Sequence, residues 1–116
     1  MSDIRWKEIG FWSDPSNELT RGLPDPRALV DGSWDSVERE AVTRYLRAGD
    51  VHLWLKGYSW CRFHCGIPNS EMGSKTLTDG DYVWPEGLPH YLEVHHVKPP
   101  QEFVDHVLEK QRAGRS

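Results

Sequence analysis

The chain has 116 residues, enough for one domain with a real core but not for two. Hydrophobic content of 37% and charged content of 28% place it on the polar side of globular composition, outside the disordered class. A formal charge of −4 argues against a nucleic-acid partner, which calls for a basic face, and fits a soluble protein or one that meets a basic partner.

Location is read from patterns that do not occur. The opening MSDIRWKEIGFW carries charge throughout, unlike a secretory signal, and no stretch reaches the roughly 18 to 20 apolar residues of a membrane span. Cys61 and Cys65 are too few and too close for a disulfide framework. A reduced, cytosolic protein is the expectation.

In chain order, residues 1–33 form an irregular N-terminal arm, punctuated by Pro15, Gly22, Pro24, Pro26 and Gly32. Trp6 with Ile9, and Phe11 with Trp12, anchor this arm to the body, and Asp25-Pro26 opens a single helical turn. The first helix is predicted over Trp34 to Ala48. Trp34, Val37, Ala41, Tyr45 and Ala48 recur at helical spacing, with Val42 and Leu46 widening the stripe. Ser33 or Asp35 caps its start, Asp35 and Glu38 have capping-box spacing, and Gly49 stops it.

Val51 to Lys56 alternates as a strand, with Val51, Leu53 and Leu55 on one side and His52, Trp54 and Lys56 on the other. Gly57 breaks the run, and Tyr58 to His64 reads as the second arm of a hairpin. Leu77 to Trp84 supplies a third strand, bent at Asp79-Gly80. A helix follows from Pro85 to His96, and Pro99-Pro100 opens a last helix carrying Phe103, Val104, Val107 and Leu108; the tail from Arg112 is expected to fray. The predicted architecture is a single α+β domain over residues 1–116, with a small antiparallel three-stranded sheet and about three helices.

Three clusters carry possible chemistry. Cys61, His64 and Cys65 offer zinc's preferred donors, and His90, His95 or His96 could complete a tetrahedron. Two arguments run against convergence. On a strand, Cys61 and His64 point to opposite faces, and His90 lies nearly half a turn off the face of His95. No metal and no cofactor are therefore expected; the alternative ligand set is Cys61, Cys65, His90 and His95. A thiol nucleophile at Cys61 or Cys65 lacks an oxyanion loop or elbow around it. The segment GIPNSEMGSK lacks the closing Gly-Lys-Ser/Thr of a phosphate loop.

The third cluster is aromatic. Trp54, Tyr58, Trp60 and Tyr82 belong to the predicted sheet, and alternation cannot bury them all on one face. Helices on both faces would bury them; otherwise they form an exposed patch of the kind that dominates binding hot spots.

Two resemblances follow from the residues. LEVHHVKPP, Leu92 to Pro100, resembles the first half of the HNH endonuclease motif, in which a histidine of the central pair acts as general base beside a metal ion. The match ends there, since no asparagine follows Asn69 and no second cysteine pair follows Cys65. The pattern TDG-x-Y-x-WPEGL-x-HY-x3-H, followed by proline and a Phe-Val helix, resembles a family of short, mostly bacterial proteins, over roughly residues 57 to 108. That resemblance implies a compact fold and carries no activity. The expected function is binding, to another protein, and an immunity- or antitoxin-like role fits the size and acidity by analogy. The alternative is a metal-dependent, HNH-like nuclease or hydrolase built on Cys61, His64, Cys65, His90, His95 and His96.

Overall fold

The computed structural model describes residues 7–14, 18–55 and 57–113. The expected anchor Trp6, the breaker Pro15, the strand end Lys56 and the tail beyond Ala113 lie outside the described residues. The elements are β1 (Lys7–Glu8), α1 (Ser36–Arg47), β2 (Asp50–Trp54), a one-turn α2 (Asn69–Met72), β3 (Lys75–Thr78), β4 (Tyr82–Pro85), α3 (Leu88–His95) and α4 (Gln101–Ala113). Short 3-10 turns occupy Glu18–Thr20 and Pro26–Leu29, the second capped by Asp25 as its Asp-Pro start suggests.

The α+β class holds, but the sheet differs from the expected one. It is four-stranded and mixed, in the order β1-β4-β3-β2. The arm expected to be irregular contributes β1, parallel to β4, through Lys7 and Ile9 amides bonded to Asp81 and Val83 carbonyls. The predicted third strand is two strands. Asp79-Gly80 does not bend one strand but turns the chain back, so that β3 pairs antiparallel with β4. Tyr58 to His64 is not a strand at all. Gly57, His64 and Gly66 have φ of 89°, 52° and 88°, values a pleated strand cannot absorb, and β2 pairs with β3 instead.

Helix α1 starts where the capping signal placed it, with the Asp35 carboxylate accepting the Glu38 amide at 2.9 Å. Its buried stripe is rotated from the expected centre. Val42 and Leu46 are fully buried, whereas Val37 is exposed. The reason is Trp84, whose indole donates to the Leu46 carbonyl at 3.1 Å and draws that side of the helix onto the sheet. Trp84 pairs across the sheet with Leu77 on the same face, where Phe103 of α4 also packs. Gly49 is required at the end of α1 because a Cβ there would lie 2.6 Å from the Trp84 ring.

The opposite face is only partly covered. Leu53, Thr76 and Val83 line an open groove there, rimmed by Phe11 and Leu55. Strand β2 lies at the sheet edge, and Val51, Leu53 and Trp54 are all exposed. Helices therefore cover one face, not both. Among the described residues no helix is long and apolar enough to cross a membrane.

Candidate metal centre

Freed from a strand, the segment after Gly57 coils against α3. The Arg62 amide donates to the Tyr91 hydroxyl at 2.9 Å, and that hydroxyl donates to the Trp60 carbonyl at 3.2 Å. Phe63 stacks on His95 with ring centroids 4.2 Å apart and planes 7° apart. The His64 amide closes a tight turn onto the Cys61 carbonyl at 3.0 Å, and the left-handed φ of His64 swings the chain round so that Cys65 returns towards Cys61.

Cys61 and His64 do part, as expected, but on this turn Cys61 and Cys65 come together without His64. The second argument against convergence fails. His90 and His95 leave α3 at different angles, but their rings meet with centroids 4.9 Å apart. One donor atom from each of Cys61, Cys65, His90 and His95 lies within 4.8 Å of the other three. Cys61 Sγ lies 3.3 Å from His95 Nε2, and Cys65 Sγ lies 3.4 Å from His90 Nε2.

Two thiols and two imidazoles are the donors of a tetrahedral zinc shell, in which ligands about 2.0 to 2.3 Å from the ion stand roughly 3.3 to 3.8 Å apart, and the two Cys–His pairs fit that spacing. The electrostatics are also permissive. Burial, then the neighbouring His95, lowers the pKa of His90; burial, then His96, lowers that of His95. Both rings are thereby held in the neutral form that binds metals. Burial pushes the Cys61 thiol up, so a metal ion there would displace a proton. Cys61 is buried and Cys65 exposed, which places the cluster at the surface with one side sealed.

The other histidines named from the sequence lie elsewhere. His64 is exposed and tilts over Trp60 with centroids 5.1 Å apart. His96 caps α3 in a left-handed conformation, and its Nδ1 meets Arg39 at 2.8 Å. The adjacent pair His95-His96 is thus split between two environments, His95 in the cysteine cluster and His96 against Arg39.

The aromatic candidates also divide. Trp54 is 70% exposed and Tyr58 62% exposed, whereas Trp60 is half-covered by the Arg62 guanidinium 4.1 Å from its ring. Tyr82 is 5% exposed and packs edge-on to Phe103, so it belongs to the core and not to the patch. Its direction is fixed by the β3–β4 turn, which points it under α4.

A second group gathers at the β3–β4 turn. Asp79, Asp81 and His106 bring donor atoms within 4.8 Å of one another. The Asp79 carboxylate is already saturated: Oδ1 accepts the Asp81 and Tyr82 amides, and Oδ2 accepts the Tyr45 hydroxyl at 2.5 Å and His106 Nε2 at 2.7 Å. That pattern locks a turn to two helices. The sequence offered one signal for it, the interruption at Asp79-Gly80, but nothing that tied Asp79 to Tyr45 or His106.

Comparison with family models, curated proteins and solved structures finds no match to this chain.

Proposed function

We propose that this protein is a metal-supported binding domain, in which Cys61, Cys65, His90 and His95 hold one zinc ion as a structural site. The convergence of four suitable donor atoms within 4.8 Å carries the reading. The donors come from a turn without regular structure and from α3, so an ion between them would pin the first to the second. Four protein ligands complete a tetrahedron and leave no position for an attacking water, which favours a structural role over the hydrolase alternative. Binding is the function such a support would serve. Trp54 and Tyr58 stand exposed at the start of the pinned segment, and large amphipathic rings of this kind contribute most to protein-protein hot spots. The net charge of −4 weighs against a nucleic-acid partner, and the partner proposed is a protein.

The test is metal analysis of protein purified without a histidine tag. One zinc per chain is expected, surviving dialysis, and Cys61→Ser or His95→Ala should each reduce it to a small fraction. A wild-type zinc content near zero after growth and refolding in zinc would end the metal reading. Turnover of a phosphodiester or peptide substrate by the zinc-loaded protein would favour the hydrolase.

A further inference from the structure

The turn that gathers metal donors also brings two sulfur atoms together. Cys61 Sγ and Cys65 Sγ lie within 4.8 Å of one another, and both are free thiols. A disulfide needs its Cβ atoms about 3.5 to 4.5 Å apart and its sulfurs about 2.05 Å apart. Each sulfur swings on its own Cα–Cβ bond, and Cys65 belongs to no helix or strand, so regular structure does not resist closure. The His64 amide, bonded to the Cys61 carbonyl at 3.0 Å, already folds the intervening residues into a turn.

The two thiols are unequally placed. Cys65 is exposed, whereas Cys61 is 5% exposed and belongs to the apolar core. An oxidant in solution therefore meets Cys65 first. Cys61 is then the one other thiol in the chain, and it lies within reach.

We propose that Cys61 and Cys65 are a peroxide-reactive dithiol, which closes a reversible intrachain disulfide and so dismantles the metal centre. The second half of this assignment rests on the zinc reading above. The Cys65 thiolate attacks one oxygen of hydrogen peroxide; the O–O bond breaks, leaving a sulfenic acid on Cys65 and a hydroxide. The Cys61 thiolate then attacks that sulfur, the S–O bond breaks, and a second hydroxide leaves. Both hydroxides take up protons as water, and two electrons have passed from the sulfurs to the peroxide. The disulfide offers no thiolate to a zinc ion. Only His90 and His95 remain of the four donors, and a structural site needs four. Hydrogen peroxide thus acts on this turn as a chelator would, and a thiol reductant restores it.

The test treats the reduced full chain, zinc-loaded and metal-free, with hydrogen peroxide, followed by catalase, alkylation and mass spectrometry. A monomer lighter by two hydrogens and closed to alkylation is expected. Trypsin cuts after Arg62, so the cross-link should appear as two peptides joined through Cys61 and Cys65. A coloured chelator should report zinc release in step with thiol loss, and dithiothreitol should reverse both. Cys61→Ser should stop at a Cys65 sulfenic acid that dimedone traps, and Cys65→Ser should lose its buried thiol at least about tenfold more slowly than the wild type. Sulfinic acid on Cys65 beside an alkylatable Cys61, or a Cys65-linked dimer as the main product, would overturn the dithiol. A disulfide that forms while zinc stays bound would overturn its link to the metal centre. A chain that takes up no zinc yet closes the disulfide would end the metal reading and uphold the dithiol. The wild-type products decide the matter even where a variant folds poorly.

Discussion

Asp79 shows how much one turn residue can do. Burial alone would raise its carboxyl pKa, but the hydrogen bonds from Tyr45, from the Tyr82 and Asp81 amides and from His106 outweigh it and hold it at about 2, against an ordinary 3.8. The sign follows from linkage. A depressed folded-state pKa means that the unfolded chain binds the proton more readily, so the stabilisation is present above about pH 4 and is lost as pH falls towards 2. With the side chain 9% exposed, the difference corresponds to about 2 kcal/mol. Urea melts of the wild type and Asp79→Asn should therefore differ by about 2 kcal/mol at pH 7, and the gap should close as the pH approaches 2. A gap that stays constant over that range would assign the loss to packing and not to the charge. Tyr45→Phe removes the shortest of these bonds and should cost about 1.5 to 3 kcal/mol at neutral pH, because its acceptor is charged.

At the scale of elements, β4 is the joint between sheet and helices. Trp84 is fully buried, its ring lies against Leu77, Tyr45 and Phe103, and its indole caps the last turn of α1. Replacing it with Ala would remove the ring and also leave the Leu46 carbonyl without its indole donor. The expected loss is about 3 to 5 kcal/mol by chemical denaturation. A loss under about 1 kcal/mol would mean that α1 and β4 are held by other contacts. The Pro-Glu-Gly turn after Trp84 then leads directly into α3, whose buried Leu88, Tyr91 and Leu92 face the core while His90 and His95 are left to meet the cysteine turn. One short helix thus serves both the core and the candidate metal centre.

Across the whole molecule, order is unevenly supplied. The sheet and the three longer helices share one apolar core, whereas residues 57–68 make few backbone hydrogen bonds, among them Ser59 to Gly73 and His64 to Cys61. Such a segment exchanges its amides early unless something else ties it down. With zinc bound at the proposed site, the amides of this segment should be protected, and adding a chelator should expose them by at least about tenfold while α4 and β3–β4 keep their protection. Unchanged exchange in 57–68 after metal removal would mean that Phe63, Arg62 and Tyr91 hold the segment unaided. The exposed Trp54 and Tyr58 lie at its N-terminal end, so a partner that uses them should bind the zinc-loaded protein more tightly than the chelated one.

The local signals in this chain were sufficient for what is local. Asp35, Gly49 and Pro100 mark helix boundaries, because caps depend on bonds that span only a few residues; Pro85, expected to open α3, instead ends β4, and α3 begins at Leu88. The apolar stripe of α4 was legible for the same reason, since helical spacing places Phe103, Val104 and Val107 on one face, and all three are buried. What depends on distant pairing was not legible. Tyr58 to His64 has strand-like composition, yet β3 was the better partner for β2, and competition between strands is settled only when both are present. Once that choice was made, the segment was free to coil, and only then could Cys65 approach His90 and Cys61 approach His95, at sequence separations of 25 and 34. Residue types and spacing determined which donors this protein owns; the tertiary structure decided that they meet, because convergence is a property of two segments packed together and neither segment encodes it alone.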